Sequence, residues 1–120
     1  FTLFGDDYPT KDGTCVRDYI HVEDLATVHI QALEKLKEEN MSNSFNIGTG
    51  FGYTNKEVID MVKKISGVNF PVEVSARRVG DPSEIFADNK KAKEELGFIP
   101  KYSDLGTIIK TAWQWHSKKS

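Results

Sequence analysis

The stretch Phe45-Asn46-Ile47-Gly48-Thr49-Gly50-Phe51-Gly52-Tyr53-Thr54-Asn55-Lys56-Glu57 decides the fold. It opens on a short buried-looking strand, Ser44 to Ile47, and passes through Gly48, Gly50 and Gly52. It ends on Thr54 with Glu57 three residues later, the signature of a capping box at a helix start. Strand, glycine turn and helix are also the parts of a dinucleotide fingerprint, G-x-G-x-x-G. Here the spacing fails. Gly52 falls one position early and Tyr53 occupies the place of the third glycine, where a tyrosine obstructs close packing of helix on strand. The acid expected at the end of the next strand is missing too, since Glu73 lies mid-strand. The stretch reads as a glycine-rich strand-to-helix turn rather than an NAD site.

Working outward, the helix after Thr54 buries Val58, Ile59, Val62 and Ile65 and ends at Gly67. A strand follows over Phe70 to Val74, with Pro71 favouring an edge or a strand start. Upstream, Thr2 to Gly5 reads as a strand, Asp6 to Gly13 as turns, and Cys15 to Val22 as an extended segment. The next helix carries Glu23 and Asp24 in its first turn, where they suit the dipole. Its apolar face is Leu25, Ala26, His29, Ala32, Leu33 and Leu36, and it fades in the polar run 37–40. Downstream, Asp88 is placed to cap a short helix carrying Ala92 and Leu96, stopped by Gly97 and Pro100. Ser103 is placed to cap a last helix through Leu105, Ile108, Ile109, Ala112 and Trp113. Strands mixed with helices predict an α/β chain (α+β if it stands alone), with a small sheet and about four helices.

A chain of 120 residues with 38% hydrophobic and 28% charged residues suits one small domain with a core of its own. Its net charge of -2 points away from nucleic acid, which demands a basic surface. The single cysteine, Cys15, allows no internal disulfide, suits a reducing, cytoplasmic setting, and reads as a small apolar filler. No apolar run is long enough to span a membrane, and no membrane association is expected. Phe1-Thr2-Leu3-Phe4-Gly5 lacks an initiator Met and begins inside an apolar run, so a fragment of a longer polypeptide is expected.

The three arginines fall in two short segments, whereas the lysines are scattered. In Asp12 to Val22, Arg17, Tyr19 and His21 share one side by period 2. A planar, bidentate guanidinium suits phosphate oxygens, and a surface Arg-Asp pair is the plain alternative. In Arg77-Arg78-Val79-Gly80-Asp81-Pro82, two cations and a carboxylate on a tight turn suit a diphosphate and a diol, or make an ordinary charged turn. The three histidines and Cys15 have no metal-ligand spacing. His29 reads as a packed core histidine, His116 as a dipole partner in the last helix, and Trp113 and Trp115 as packing residues.

Residues 4–26 (FGDDYPTKDGTCVRDYIHVEDLA), 45–59 (FNIGTGFGYTNKEVI), 76–88 (ARRVGDPSEIFAD) and 92–102 (AKEELGFIPKY) together resemble the UDP-galactose (UDP-glucose) 4-epimerases of the extended short-chain dehydrogenase/reductase family. The resemblance runs in family order over nearly the whole chain. It implies the C-terminal, substrate-binding region, residues 1–120, with an NAD-binding domain upstream. It implies that Arg17 and Arg78 hold the UDP diphosphate and Asp81 the ribose hydroxyls. Thr2 and Phe4 would lie beside the uracil, Tyr19 would line the nucleotide site, and Ile85 would face the hexose. The parent would be a homodimer that interconverts UDP-galactose and UDP-glucose by NAD-dependent hydride transfer at C4. The family's Tyr-x-x-x-Lys pair is absent. Tyr8, Tyr19, Tyr53 and Tyr102 are followed four positions on by Asp12, Glu23, Glu57 and Gly106. No catalytic and no NAD-binding residue is therefore expected here, and the chain alone should be inactive. Cut from its parent, it would expose Leu25, Leu33 and Leu36 and self-associate. A dehydratase or decarboxylase fragment, or a non-catalytic nucleotide-binding module, are the alternatives.

Overall fold

A computed structural model describes residues 1–40 and 42–118. The elements run β1 (Thr2–Phe4), β2 (Val16–Arg17), α1 (Val22–Glu39), β3 (Tyr53–Thr54), α2 (Asn55–Ser66), β4 (Glu73–Ser75), β5 (Glu84–Ile85), α3 (Lys90–Leu96) and α4 (Leu105–Lys118). The strands form two small sheets rather than one. β1 pairs parallel with β4, Leu3 opposite Val74. β2 lies between β3, antiparallel, and β5, parallel.

Local chemistry explains most boundaries. Thr54 and Glu57 close the capping box at the start of α2, each side chain bonded to the other's backbone N–H. Gly67 and Gly97 end α2 and α3 with φ of 71° and 70°, a conformation glycine enters without penalty. Asn40 takes the same left-handed role after α1. Cys15 is buried, as a filler should be.

The core is small. Val28, Ala92 and Phe98 form its centre, with Ile20, Leu25, Phe45, Ile47 and Leu96 packed around them. This joins α1 to α3. On the other side α2 packs on α4, where Ile59, Leu105 and Ile109 are buried. The body measures 50 × 36 × 20 Å with a radius of gyration of 16.9 Å. A compact chain of this length has about 14 Å. The fold is therefore a thin slab.

Several expectations are corrected. Ser44 to Ile47 has no strand pairing among the described residues; Phe45 and Ile47 pack on the core instead. The predicted strand at Phe70 to Val74 shifts to Glu73–Ser75, because pairing with β1 begins where the Glu73 N–H meets the Phe1 carbonyl. Cys15 to Val22 contracts to the two residues of β2, since the chain turns into α1. The inward side of α1 is Asp24, Leu25 and Val28, so His29 is exposed and bonds the Leu25 carbonyl. Leu33 and Leu36 are exposed, as expected for the chain alone, whereas Leu25 is partly covered. Trp113 and Trp115 are part covered, with 40% and 61% of their surface exposed. Asp104, not Ser103, caps α4, accepting from the Thr107 N–H and Oγ1. Asp88 accepts from the Lys90 N–H, one residue before the Asn89 cap position.

Ser103 is diverted because it serves Asp24. The buried Asp24 carboxylate accepts from the Lys101 N–H (2.9 Å), the Tyr102 N–H (2.9 Å) and Ser103 Oγ (2.6 Å). Ser103 Oγ in turn accepts from the His21 N–H. Burial alone would raise the Asp24 carboxyl, but these hydrogen bonds outweigh it and hold it below its ordinary value. Its pKa is lower folded than unfolded. The stabilisation is therefore complete above about pH 4 and is lost as pH falls through the folded value. Asp24→Asn is expected to cost about 1.5–3 kcal/mol at pH 7, the range for hydrogen bonds to a charged group. Urea unfolding should show that deficit narrowing as pH drops below about 4.

Candidate functional site

The end of β2 and the turn before β5 carry the densest charge cluster. Arg17 Nη2 donates to Asp81 Oδ1 at 2.5 Å and to the Pro82 carbonyl at 2.8 Å, while Nη1 donates to the Val16 carbonyl at 2.7 Å. Arg78 Nη2 reaches the other oxygen, Asp81 Oδ2, at 3.2 Å. One carboxylate thus bridges two guanidiniums and leaves the cluster net positive. Burial would raise the Asp81 carboxyl, but the hydrogen bonds and charges of Arg17 and Arg78 hold it below the usual range. The two arginines differ. Arg17 is held by three acceptors with its side chain 21% exposed, whereas that of Arg78 is 63% exposed and most of its N–H donors are unspent.

The other predicted positions fall around this cluster. Thr2 and Phe4 share the exposed face of β1, with Leu3 turned inward. The Arg78 guanidinium lies 5.1 Å from the Phe4 ring centroid, within cation–π range. Ile85 is exposed on β5, directly opposite Arg17 in the sheet register. Phe4, Arg78, Asp81 and Arg17 are therefore linked side chain to side chain, and Ile85 adjoins Arg17 through the sheet register. Tyr19 is not part of that line. β2 ends at Arg17, so period 2 does not carry through, and the Tyr19 hydroxyl faces Asn55 Oδ1 at 3.5 Å. Burial pushes its phenol up, and the Arg17 charge pulls against it. His21 leaves the strand altogether. It is the buried N-cap of α1, accepting from the Glu23 N–H through Nδ1 and meeting Thr111 Oγ1 at 2.8 Å through Nε2.

Arg77 and Arg78 do not act as a pair. Arg77 Nε donates to Asp7 Oδ1 at 2.8 Å, Nη2 donates to the Asp7 carbonyl, and the guanidinium stacks 4.2 Å from the Tyr8 ring centroid. That arginine clips the loop of residues 6–13 to the sheet. The same loop turns at Gly13, whose φ is +85° and where a Cβ would stand 2.0 Å from the Asp6 carbonyl oxygen. Asp12 closes it by accepting from the Thr14 N–H, Thr14 Oγ1 and Thr54 Oγ1.

The glycine loop is filled from within. The Asp18 carboxylate accepts from the Thr49 N–H (3.0 Å), Thr49 Oγ1 (2.7 Å), the Gly50 N–H (2.9 Å) and the Ala87 N–H (3.2 Å). A Cβ on Gly48 would lie 2.6 Å from Asp18 Oδ2, and one on Gly52 would lie 2.2 Å from Val16 Cγ1. These glycines let the loop close on β2. The Thr49 and Gly50 amides, which a dinucleotide phosphate would need, already serve a carboxylate, so the loop does not fit NAD. Sequence reasoning missed Asp18. The sole signal was its place beside Arg17.

A model of the NAD dependent epimerase/dehydratase family matches residues 1–48. The UDP-glucose 4-epimerase of Lactobacillus helveticus is 49% identical over 116 residues, covering 97% of this chain and 35% of that protein. A crystal structure of a UDP-glucose 4-epimerase superposes with a TM-score of 0.94 at 47% identity, covering 99% of this chain and 36% of that one. The UDP-glucose 4-epimerase from Stenotrophomonas maltophila, crystallised with NAD and formylated UDP-arabinopyranose, superposes with a TM-score of 0.90 at 41% identity, covering 99% and 36%. The chain is therefore homologous, over nearly its whole length, to one segment of the UDP-glucose 4-epimerases. It spans about a third of the length of the curated relatives it matches.

The close approach of the glycine loop to β2 is open to test. Gly52→Ala drives a methyl group into Val16 and should destabilise the chain by about 1–3 kcal/mol, the range for overpacking. Urea unfolding of the variant beside the parent chain measures it.

Proposed function

We propose that this segment of a UDP-glucose 4-epimerase is the C-terminal, UDP-gripping part of an enzyme that interconverts UDP-galactose and UDP-glucose. The observation that carries the proposal is the bridge from Arg17 through Asp81 to Arg78, beside Phe4 and Ile85. Two guanidiniums suit the oxygens of a diphosphate, and the one exposed arginine has donors to spare. Arg17 is pre-oriented for this task, and Arg78 swings from the same side. Asp81 can then accept from the two ribose hydroxyls. Thr2 and Phe4 offer an exposed edge for the uracil, Tyr19, beside Asn55 and off that line, flanks the nucleotide site, and Ile85 faces the hexose. The dehydratase and decarboxylase alternatives are not favoured, because the relatives matched at 46–50% identity are 4-epimerases.

UDP held far from the reacting carbon supplies binding energy that orients the hexose. The redox step belongs elsewhere. NAD, which the complete enzyme uses to move a hydride at C4, would sit in the N-terminal domain, since no tyrosine here has lysine four positions on and the glycine loop is occupied by Asp18. The exposed Ile30, Leu33 and Leu36 of α1 are assigned to contact with that domain. The complete protein is proposed to be a cytoplasmic homodimer serving galactose metabolism. Among the described residues no helix is long and apolar enough to cross a membrane.

Arg78→Ala in the complete enzyme should lose about 1.5–3 kcal/mol of UDP affinity, roughly ten- to hundredfold by titration calorimetry. Unchanged affinity would remove Arg78 from the grip. Arg77→Ala should lower stability and leave UDP affinity within about threefold. The 120-residue chain mixed with NAD and UDP-galactose should form no UDP-glucose, and should sediment as associated species rather than as a clean monomer.

A further inference from the structure

We infer that Asp18 is a positioning residue that sets the sugar-facing wall of the site against the phosphate grip, an inference that rests on the function proposed above. Asp18 follows Arg17 directly, yet its carboxylate turns away from the arginine cluster. It accepts from the Thr49 N–H and hydroxyl, the Gly50 N–H and the Ala87 N–H. Three segments distant in sequence meet on this one side chain: the end of β2, the glycine loop, and the chain just past β5.

Ala87 stands two residues beyond Ile85. β5 is only two residues long, so two residue pairs with β2 define its register. That is little to hold an exposed strand in place. The bond from Asp18 to Ala87 adds a fixed point immediately after it. Gly48 shows how closely the parts fit, because a Cβ there would lie 2.6 Å from Asp18 Oδ2 and 2.7 Å from the Ala87 Cβ. Arg17 is anchored independently, by Asp81 and by the Val16 and Pro82 carbonyls. Loss of the Asp18 carboxylate therefore loosens Ile85 and Phe86, leaving them the two ladder pairs with β2, the Val16 N–H on the Ser83 carbonyl and the Asn89 amide on the Gly48 carbonyl, while the diphosphate grip stays in place.

The test is Asp18→Asn in the complete enzyme, titrated with UDP and with UDP-glucose and assayed for epimerisation. The asparagine amide must present an N–H to backbone N–H groups that now meet an oxygen. UDP affinity should stay within about twofold of the parent enzyme, while kcat for UDP-glucose falls about ten- to hundredfold, the penalty for reactants displaced on the scale of an ångström. A loss of folded protein alone lowers the number of binding sites and leaves the UDP affinity of the remainder intact and their kcat per site unchanged. Should Asp18→Asn fail to fold, Thr49→Val removes the hydroxyl bond to Asp18, together with the hydroxyl's local bonds to the Phe51 N–H and carbonyl, keeps the Thr49 N–H on the carboxylate, and should give a smaller loss of kcat per site in the same direction. Equal weakening of UDP and UDP-glucose with kcat per site preserved, or no change in either, overturns the inference. A parent enzyme that binds no UDP overturns the proposed function, and this inference with it.

Discussion

A slab 20 Å thick cannot hold distant loops by burial alone, because few of its side chains have neighbours on every side. Carboxylates that accept backbone N–H bonds do that work here. Asp12, Asp18 and Asp24 lie on one stretch, and each gathers three or four donors. Asp12 ties the first loop to the start of α2. Asp18 ties β2 to the glycine loop and to β5. Asp24 ties α1 to the segment before α4. Each bond to a charged acceptor is worth more than a neutral one, and each orphaned carboxylate costs its full desolvation. The arginine cluster sits beside this framework, on the two-residue β2 and the turn that leads into the two-residue β5.

What was legible in the sequence was local. The capping box at Thr54 and Glu57 and the glycine stops at 67 and 97 depend on neighbours in the chain, so residue type alone reveals them. The cluster around Arg17, Arg78 and Asp81 was legible for a different reason, because all three arginines fall in two segments and the family resemblance singled out which residues of those segments share a site. What stayed hidden depends on partners far along the chain. Ser103 reads as a cap until Asp24, 79 residues away, claims its hydroxyl. Asp18 reads as half of an Arg-Asp pair until the glycine loop closes on it. Phe45 and Ile47 read as strand, yet among the described residues no neighbour pairs with them. His29 was misjudged because α1 is apolar on more than one side, so periodicity could not tell which side faces the core.

The contrast between Arg77 and Arg78 shows how little sequence proximity means for role. Adjacent residues point to different tasks, one clamping the Asp7 loop with its ring stack and hydrogen bonds, the other left largely in solvent. Gly5, placed where a Cβ would strike both Tyr8 and the Arg77 stem, gives the clamp its room. Of the two arginines proposed to hold the diphosphate, Arg17 is fixed by three acceptors and Arg78 is largely exposed, while Arg77 holds the loop of residues 6–13.

The parallel pairing of β2 with β5 has a further consequence for time rather than space. Arg17 finds Asp81 only once the chain has grown 64 positions further, and Ile85 joins later still. Parallel strands joined by long crossovers pay loop-closure entropy before their contacts repay it, which slows folding. A nascent chain emerging from the ribosome therefore carries Arg17 exposed and unpaired through the synthesis of both α1 and α2. The bridge from Arg17 to Asp81 forms only after β1, α1, β3, α2 and β4 have been made, and a chain that stalls before Asp81 leaves Arg17 without its carboxylate.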